Sequence, residues 1–210
     1  MQKALFVAVL ALIAMPALAR AETAVFAGGC FWCVESDMDA LDGVTSTASG
    51  YAGGVAKNPT YKNHGGYLEA VKVEFDPSII SYDTLVARFL RTIDVTDAGG
   101  QFCDRGDSYT TAIFAVGREQ LKSAEAAIRD VNAALGKTVV TPVRPFTTFT
   151  DAEDYHQNYY LGKNRVLTRF GWIKQSDAYK RYREACGREA RVKQVWGKDA
   201  YTAGQADSDS

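Results

Sequence analysis

The chain has 210 residues, of which 47% are apolar, 11% aromatic and 23% charged, and its 24 Lys and Arg against 25 Asp and Glu leave a formal net charge of −1. That composition excludes intrinsic disorder, which needs low hydrophobicity and high net charge, and it lacks the basic excess of a nucleic-acid binder. With 18 glycines and five prolines it is no fibrous protein, and its length suits one domain with an extension and a substantial core.

The first segment reads as an address. Lys3 gives a positive start, Ala4 to Met15 is uninterrupted apolar chain, and Pro16 breaks it. Ala17 with Ala19, and Ala19 with Ala21, make two overlapping small-x-small cleavage patterns. The run is well short of the about 20 residues that span a bilayer, so residues 1–21 are expected to be a secretory signal peptide. Cleavage after Ala21 would leave 210 − 21 = 189 residues, exported to an oxidising compartment such as a bacterial periplasm and without a membrane span.

Thr23 to Ala27 is a short apolar run ending in Gly28-Gly29, which predicts a buried strand and its exit. Phe31, Val34, Met38 and Leu41 have helical spacing before Gly43, and Val44 to Tyr51 is β-rich. Asn58-Pro59 and Gly65-Gly66 mark a loop. Glu69 to Asp76 alternates, with Val71, Val73 and Phe75 on one face of a strand that Pro77 ends. Ser81 is the expected N-cap of a helix to about Arg91. Ile93 to Ser108 has no period and reads as a loop, Tyr109 to Val116 as a strand, and Arg118 to Leu135 as an amphipathic helix closed by Gly136. Thr138 to Phe149, holding Pro142 and Pro145, is expected to be edge strand. Thr150-Asp151-Ala152-Glu153 has the form of a capping box opening a short helix.

The order β-α-β-β-α-β predicts an α+β fold, a two-layer ferredoxin-like sandwich with a mixed sheet and helices on one face. The polar, aromatic C-terminal third is expected to wrap this domain (22–200), and 201–210 to be a disordered tail.

The chemistry concentrates at Gly28-Gly29-Cys30-Phe31-Trp32-Cys33, between a strand and a helix. Cys30 at a helix start would meet free N–H groups and the positive end of the dipole, which lowers a thiol pKa and supplies thiolate. Phe31 and Trp32 offer an apolar wall. A metal centre is disfavoured, because there is no second C-x-x-C and the histidines are only His64 and His156.

The string GCFWC with Val34-Glu35, then SGYAGG (Ser49 to Gly54), NPTY (Asn58 to Tyr61), EAVKVEFDPSIISYDTL (Glu69 to Leu85), QFCDRGDSYTTAIF (Gln101 to Phe114) and AEDYHQNYY (Ala152 to Tyr160) closely resembles the A-type peptide-methionine sulfoxide reductases. That resemblance implies reduction of methionine-S-sulfoxide in oxidised proteins and in free methionine. It places the nucleophile on Cys30, the proton-donating glutamate on Glu69, two tyrosine donors on Tyr61 and Tyr109, an organising aspartate on Asp104, and the methyl-binding wall on Phe31 and Trp32. An uncharged Glu69 would donate best, so burial is expected to raise its pKa. His156 is expected to be a structural hydrogen-bonder. The family's histidine two places before the glutamate is Tyr67 here, the loop from Tyr61 to Glu69 is short, and a His-Asp-Pro motif reads Ile93-Asp94-Val95.

The resemblance also implies no bound cofactor and an external dithiol reductant such as a thioredoxin-like protein, supplied by a membrane thiol relay if the chain is exported. The resolving cysteine stays open between Cys33, three residues from Cys30 and so within helical reach of it, and Cys186; Cys103 could also lie close or simply pack. Two further readings remain: a C-x-x-C thiol–disulfide oxidoreductase, and a secreted domain stapled by Cys30–Cys33 and Cys103–Cys186.

Overall fold

The computed structural model describes residues 21–202. The expected signal peptide, apart from its last residue, and positions 203–210 of the expected tail lie outside the described residues. Among those described, no helix is long and apolar enough to cross a membrane.

Strand β1 (Glu22–Gly28) leads through Gly29 and Cys30 into helix α1 (Phe31–Asp39). β2 (Val44–Ala52) and β3 (Leu68–Phe75) follow, then α2 (Tyr82–Leu90), opened as expected by Ser81, whose side chain accepts from the Thr84 N–H. The aperiodic stretch after it is more ordered than its sequence predicts. It holds a tight hairpin of β4 (Gly100–Gln101) and β5 (Asp104–Arg105) and a 3-10 turn at Asp107–Tyr109. Then come β6 (Thr111–Ala115), α3 (Gly117–Leu135, ended by left-handed Gly136), β7 (Val143–Pro145) and β8 (Phe149–Asp151).

Six strands make one curled sheet in the order β7-β6-β1-β3-β2-β8. Every pair is antiparallel except β6 with β7. β7, which ends at Pro145, takes one outer position, as a strand without a full set of N–H donors must, and β8 takes the other.

Strand alternation sorts the core. Ala24, Phe26, Val71, Val73, Phe75 and Ile113 face α1, α2 and α3, where Phe26 stacks on Phe89 with centroids 4.7 Å apart. Val25, Ala27, Ala70, Ala112 and Phe114 point the other way and are covered by Phe146 and Phe149.

The expected capping box does not form. Residues 149–151 belong to β8, and the 3-10 turn Asp154–His156 has no side-chain cap. Glu153 instead accepts from the Tyr51 hydroxyl and the Tyr61 N–H, both at 3.1 Å, so a loop and a strand outcompete the helix end. The C-terminal third is richer than a simple wrap. It carries a 3-10 turn at Tyr159–Leu161, the hairpin β9 (Arg165–Thr168) and β10 (Gly171–Lys174), and helices α4 (Gln175–Ala185) and α5 (Arg188–Trp196). Val192 and Trp196 of α5 enter the main core, and the Trp196 indole donates to the Ile93 carbonyl at 3.1 Å. Tyr201 is also held, its N–H donating to the Arg91 carbonyl at 3.2 Å.

The turn before Cys30 admits no side chain. Gly28 would push a Cβ to 2.9 Å from Phe89 and Val34, and Gly29 adopts φ +82° with Gln101 2.5 Å from where its Cβ would stand. Gln101 cannot retreat: its amide bonds the Asp94 N–H and carbonyl, each at 2.9 Å. A left-handed alanine with such an overlap costs about 2 kcal/mol or more. Gly29→Ala should therefore lower the unfolding free energy by that amount, read as a urea midpoint lower by about 1 M.

Candidate active site

The antiparallel register decides where the chemistry meets. Because Phe26 pairs with Val71, the C-terminal end of β1 lies beside the N-terminal end of β3; Gly28 pairs with Thr111, so β6 starts at the same end; and Tyr51 pairs with Glu69. Cys30, Glu69 and Tyr109, far apart in sequence, thus converge at one end of the sheet. The five candidate catalytic residues Cys30, Glu69, Tyr61, Tyr109 and Asp104, the wall residues Phe31 and Trp32, and all four cysteines line a single cavity of about 440 Å³.

Glu69 is 1% exposed, and its carboxyl accepts the Phe31 N–H at 3.1 Å. Burial pushes its pKa up to about 8, helped by the charge of Asp104 and opposed by the Phe31 N–H and the Tyr109 hydroxyl. It is therefore mostly protonated at neutral pH, as expected of a donor. Burial also raises Tyr61, to about 12, and Tyr109, so both phenols stay protonated and able to donate. Burial raises the Asp104 carboxyl as well, against the pull of Arg188.

Cys30 departs from expectation. It is the N-cap of α1, yet hydrogen bonding with Cys33, then burial and the nearby charges of Cys33, Glu69 and Asp104, push its thiol well above its ordinary value. Three of the helix-start N–H groups that could hold a thiolate have other partners: Phe31 N–H bonds Glu69, and those of Cys33 and Val34 bond the Cys30 carbonyl, at 3.0 and 3.4 Å. The hydrogen bond with Cys30 brings the Cys33 thiol down to about 7 against its own burial, with Arg188 and Arg183 adding to the effect. Of the two thiols, Cys30 is the harder to deprotonate, because it donates to Cys33 and is buried beside carboxyl groups.

The aromatic wall is a continuous stack. Trp32 lies 3.8 Å from the Tyr159 ring, nearly parallel to it, and Phe31 packs against Tyr61 and Tyr51. His156 fills the space behind, 4.5 Å from Tyr61 and 5.0 Å from Phe31. It is not the hydrogen-bonder expected, since neither ring nitrogen has a partner among the described residues. Burial holds its pKa down to about 4, so it is a neutral packing ring. Tyr67, where the family's histidine would stand, is buried and donates its hydroxyl to the Ala56 carbonyl, closing the short loop. Asp94 accepts from Arg191 at 2.6 Å and from the Thr96 N–H at 2.9 Å, a structural duty.

Sequence reasoning missed what the C-terminal third contributes. Arg183 from α4 reaches Asp37 at 2.8 Å and the Cys33 carbonyl at 3.5 Å. Arg188 from α5 is 1% exposed and lies 4.6 Å above the Phe102 ring. Val166 to Thr168 of β9, with Arg169 just after it, form a rim of the cavity. Nothing in the local pattern of these residues marks them; only the adjacency of Cys186 to Gly187-Arg188 is a hint.

Cys103, on the β4–β5 turn, and Cys186, at the C-cap of α4, are joined in a disulfide with Cα atoms 5.0 Å apart, while Cys30 and Cys33 are free thiols. The structure thus forms one of the two bridges of the staple reading and leaves the other open. Cys103, Asp104 and Cys186 also form a compact group with ligand atoms within 4.8 Å, but sulfurs bonded to each other are not thiolate donors to a metal.

A family model described as peptide methionine sulfoxide reductase matches residues 22–200. A Rhizobium meliloti protein named peptide methionine sulfoxide reductase MsrA 2 is 48% identical over 185 residues, which is 87% of each chain. Among solved structures, Mxr1 from Saccharomyces cerevisiae in reduced form is similar with a TM-score of 0.63 and 29% identity, over 67% of this chain and 84% of that one. Methionine sulfoxide reductase A of Corynebacterium diphtheriae is similar with a TM-score of 0.61 and 29% identity, over 67% and 74%. With its candidate nucleophile, buried carboxyl and aromatic wall in one cavity and this extent of likeness, the chain belongs to the peptide methionine sulfoxide reductase family.

Proposed function

We propose that this chain reduces methionine-S-sulfoxide, in oxidised proteins and as the free amino acid, through a sulfenic acid on Cys30. The observation that carries this is the protonated carboxyl of Glu69 buried beside Cys30 in an aromatic cavity. A sulfoxide is a poor electrophile until its oxygen is protonated or strongly hydrogen-bonded. The substrate methyl group packs on Phe31 and Trp32, and its oxygen meets Glu69, Tyr61 and Tyr109, with Asp104 organising the site. As the Cys30 sulfur attacks, its proton passes to Cys33 and Glu69 protonates the oxygen. Methionine leaves, and the oxygen stays on Cys30 as sulfenic acid. Cys33 then attacks that sulfur, water departs and a Cys30–Cys33 disulfide forms. An external dithiol, thioredoxin-like in chemistry, supplies the two electrons that close the cycle.

A C-x-x-C oxidoreductase acting on protein disulfides is disfavoured by the same carboxyl, because thiol–disulfide exchange has no oxygen for it to protonate. Incubation with a dithiol and either a methyl sulfoxide or a disulfide separates the two; consumption of the disulfide alone would overturn the reductase.

The strand order β6-β1-β3-β2 within the sheet supports a ferredoxin-like description of the core. The apolar run from Ala4 to Met15, with its small residues up to Ala21, supports export of a chain beginning near Glu22 to a bacterial periplasm, where a membrane thiol relay would deliver the electrons. Recovery of the protein only from the cytosol would remove that assignment.

Cys30→Ser should abolish turnover while the unfolding transition persists. Glu69→Gln keeps a hydrogen-bond donor but no transferable proton, so single-turnover methionine release should slow about 10²-fold or more. The wild-type rate should fall above about pH 8 as Glu69 ionises, and the Gln variant should lose that limb. The same substitution that slows release should raise stability. Glu69 has a folded pKa above its unfolded value, so it costs stability progressively as pH rises from about 4.5 to about 8. Glu69→Gln should raise Tm by about 2–4 °C for each kcal/mol recovered, with the gap widening across that window in calorimetry.

A further inference from the structure

The β9–β10 hairpin has two unlike faces. Pairing sets Val166 opposite Ile173 and Leu167 opposite Trp172, and successive side chains of a strand alternate between faces. Val166 and Ile173 pack inward, against the cluster of Cys33, Tyr159, Ala178 and Tyr179. Leu167 and Trp172 share the other face, where they are 78% and 59% exposed. A single exposed hydrophobe is ordinary, but an aliphatic and an aromatic side chain directly across from each other make an unpartnered apolar patch. The Arg165 guanidinium donates to the Trp172 carbonyl at 2.9 Å and braces the strand that carries the indole.

This patch is continuous with the active-site cavity. Leu167 lines the cavity together with Val166, Thr168 and Arg169, and Trp172 stands on the neighbouring strand, about 4.8 Å away. A methionine sulfoxide within a polypeptide puts its methyl group against Phe31 and Trp32, so its backbone lies at the mouth and its neighbours run over the rim. The hairpin is also basic. Residues 163–174 hold Lys163, Arg165, Arg169 and Lys174 and no Asp or Glu. All four cations are exposed, and none is in an ion pair among the described residues.

We propose that the outer face of the β9–β10 hairpin, Leu167 with Trp172 and the cations around them, binds the polypeptide that flanks a methionine sulfoxide and favours apolar and acidic neighbours. This rests on the reductase reading above and extends it from the sulfoxide to its protein context. The indole and the leucine cover apolar side chains next to the sulfoxide, while the guanidinium and ammonium groups attract carboxylates. Trp and Arg are the side chains that most often carry binding energy at interfaces. Free methionine sulfoxide has no flank and occupies the cavity alone, so the hairpin separates protein substrates from the free amino acid. Trp172 acts on specificity, meeting the neighbours of the sulfoxide and not the sulfoxide.

The test uses the full chain with a small dithiol and reads kcat/KM, which reports sulfoxide capture and reduction and not the later recycling of thiols. The substrates are free methionine-S-sulfoxide and blocked pentapeptides with the sulfoxide at the centre among glycines, or with Phe, Glu or Lys in place of the adjacent glycines. The wild type should favour the Phe peptide over the Gly peptide about tenfold. It should favour Glu over Lys, and about 0.5 M salt should shrink that second preference while leaving the first. Trp172→Ser should lose the Phe preference and keep its kcat/KM on the free amino acid; Trp172→Phe should retain both. A wild type blind to the flanks, a preference for Lys over Glu, or a Trp172→Ser variant that keeps the Phe preference or loses the free substrate in equal measure would each overturn the docking face. The wild-type comparisons stand even where Trp172→Ser fails to fold. A wild type blind to the flanks that pairs through Trp172 with a second copy in sedimentation, or with anionic phosphatidylglycerol vesicles, would give the face to that occupant instead. Reduction of no sulfoxide by any form would overturn the reductase reading itself.

Discussion

The structure depends on one buried carboxyl lying under the first turn of one helix. Glu69 sits at the start of β3 and accepts the Phe31 N–H that opens α1. Taking a carboxyl out of water disfavours its charged form, and a single N–H bond, even with the Tyr109 hydroxyl near, does not offset that cost. The group stays protonated near neutrality, and that proton is what a sulfoxide needs. The same bond occupies a helix-start donor that would otherwise serve Cys30. The acid and the nucleophile are thus coupled: the bond that holds Glu69 takes a backbone donor away from the charge of Cys30.

Charge therefore has to be handled elsewhere, and the molecule does so one helical turn away. Cys33 lies on α1 three residues beyond Cys30, with Arg183 and Arg188 brought in behind it from α4 and α5. Buried guanidinium groups are costly unless paired. Asp37, on the same helix as Cys33, pairs with Arg183 at 2.8 Å and lies 3.8 Å from Arg188. Glu189 also pairs with Arg183, so two carboxylates face the two guanidinium groups, whose charge still acts on the Cys33 sulfur and lowers its pKa. The C-terminal third is thereby part of the site rather than a cover over it.

The same arrangement accounts for the shape of the cavity. Phe31, Trp32 and Tyr159 form an aromatic wall suited to a methyl group, with neutral His156 packed behind it. Tyr61 is fixed through its backbone N–H to Glu153, the residue whose spacing would have suited a helix cap. Local signals such as a capping box offer about 0.5–2 kcal/mol; a carboxylate that can satisfy both a buried tyrosine and a loop N–H has the better alternative.

The sequence by itself determined the strands and helices of the core, because periods of two and 3.6 report which face is buried. Val71, Val73 and Phe75 do share a face, and Ser81 does cap α2. It also marked Cys30 at a helix start, and the resemblance carried by contiguous motifs from Cys30 to Tyr109 pointed to the candidate acid, phenols and wall. Tertiary structure alone decided the charge state of the two thiols, the partnership of Cys103 with Cys186 across 83 residues, and the arrival of Arg183 and Arg188 beneath Cys33. A pKa depends on every charge and dipole within several ångströms and on burial, and a disulfide depends on two Cα atoms coming within bonding reach. Neither is a property of neighbours along the chain; both follow from how the antiparallel sheet and the returning C-terminal helices bring distant segments to one end of the molecule.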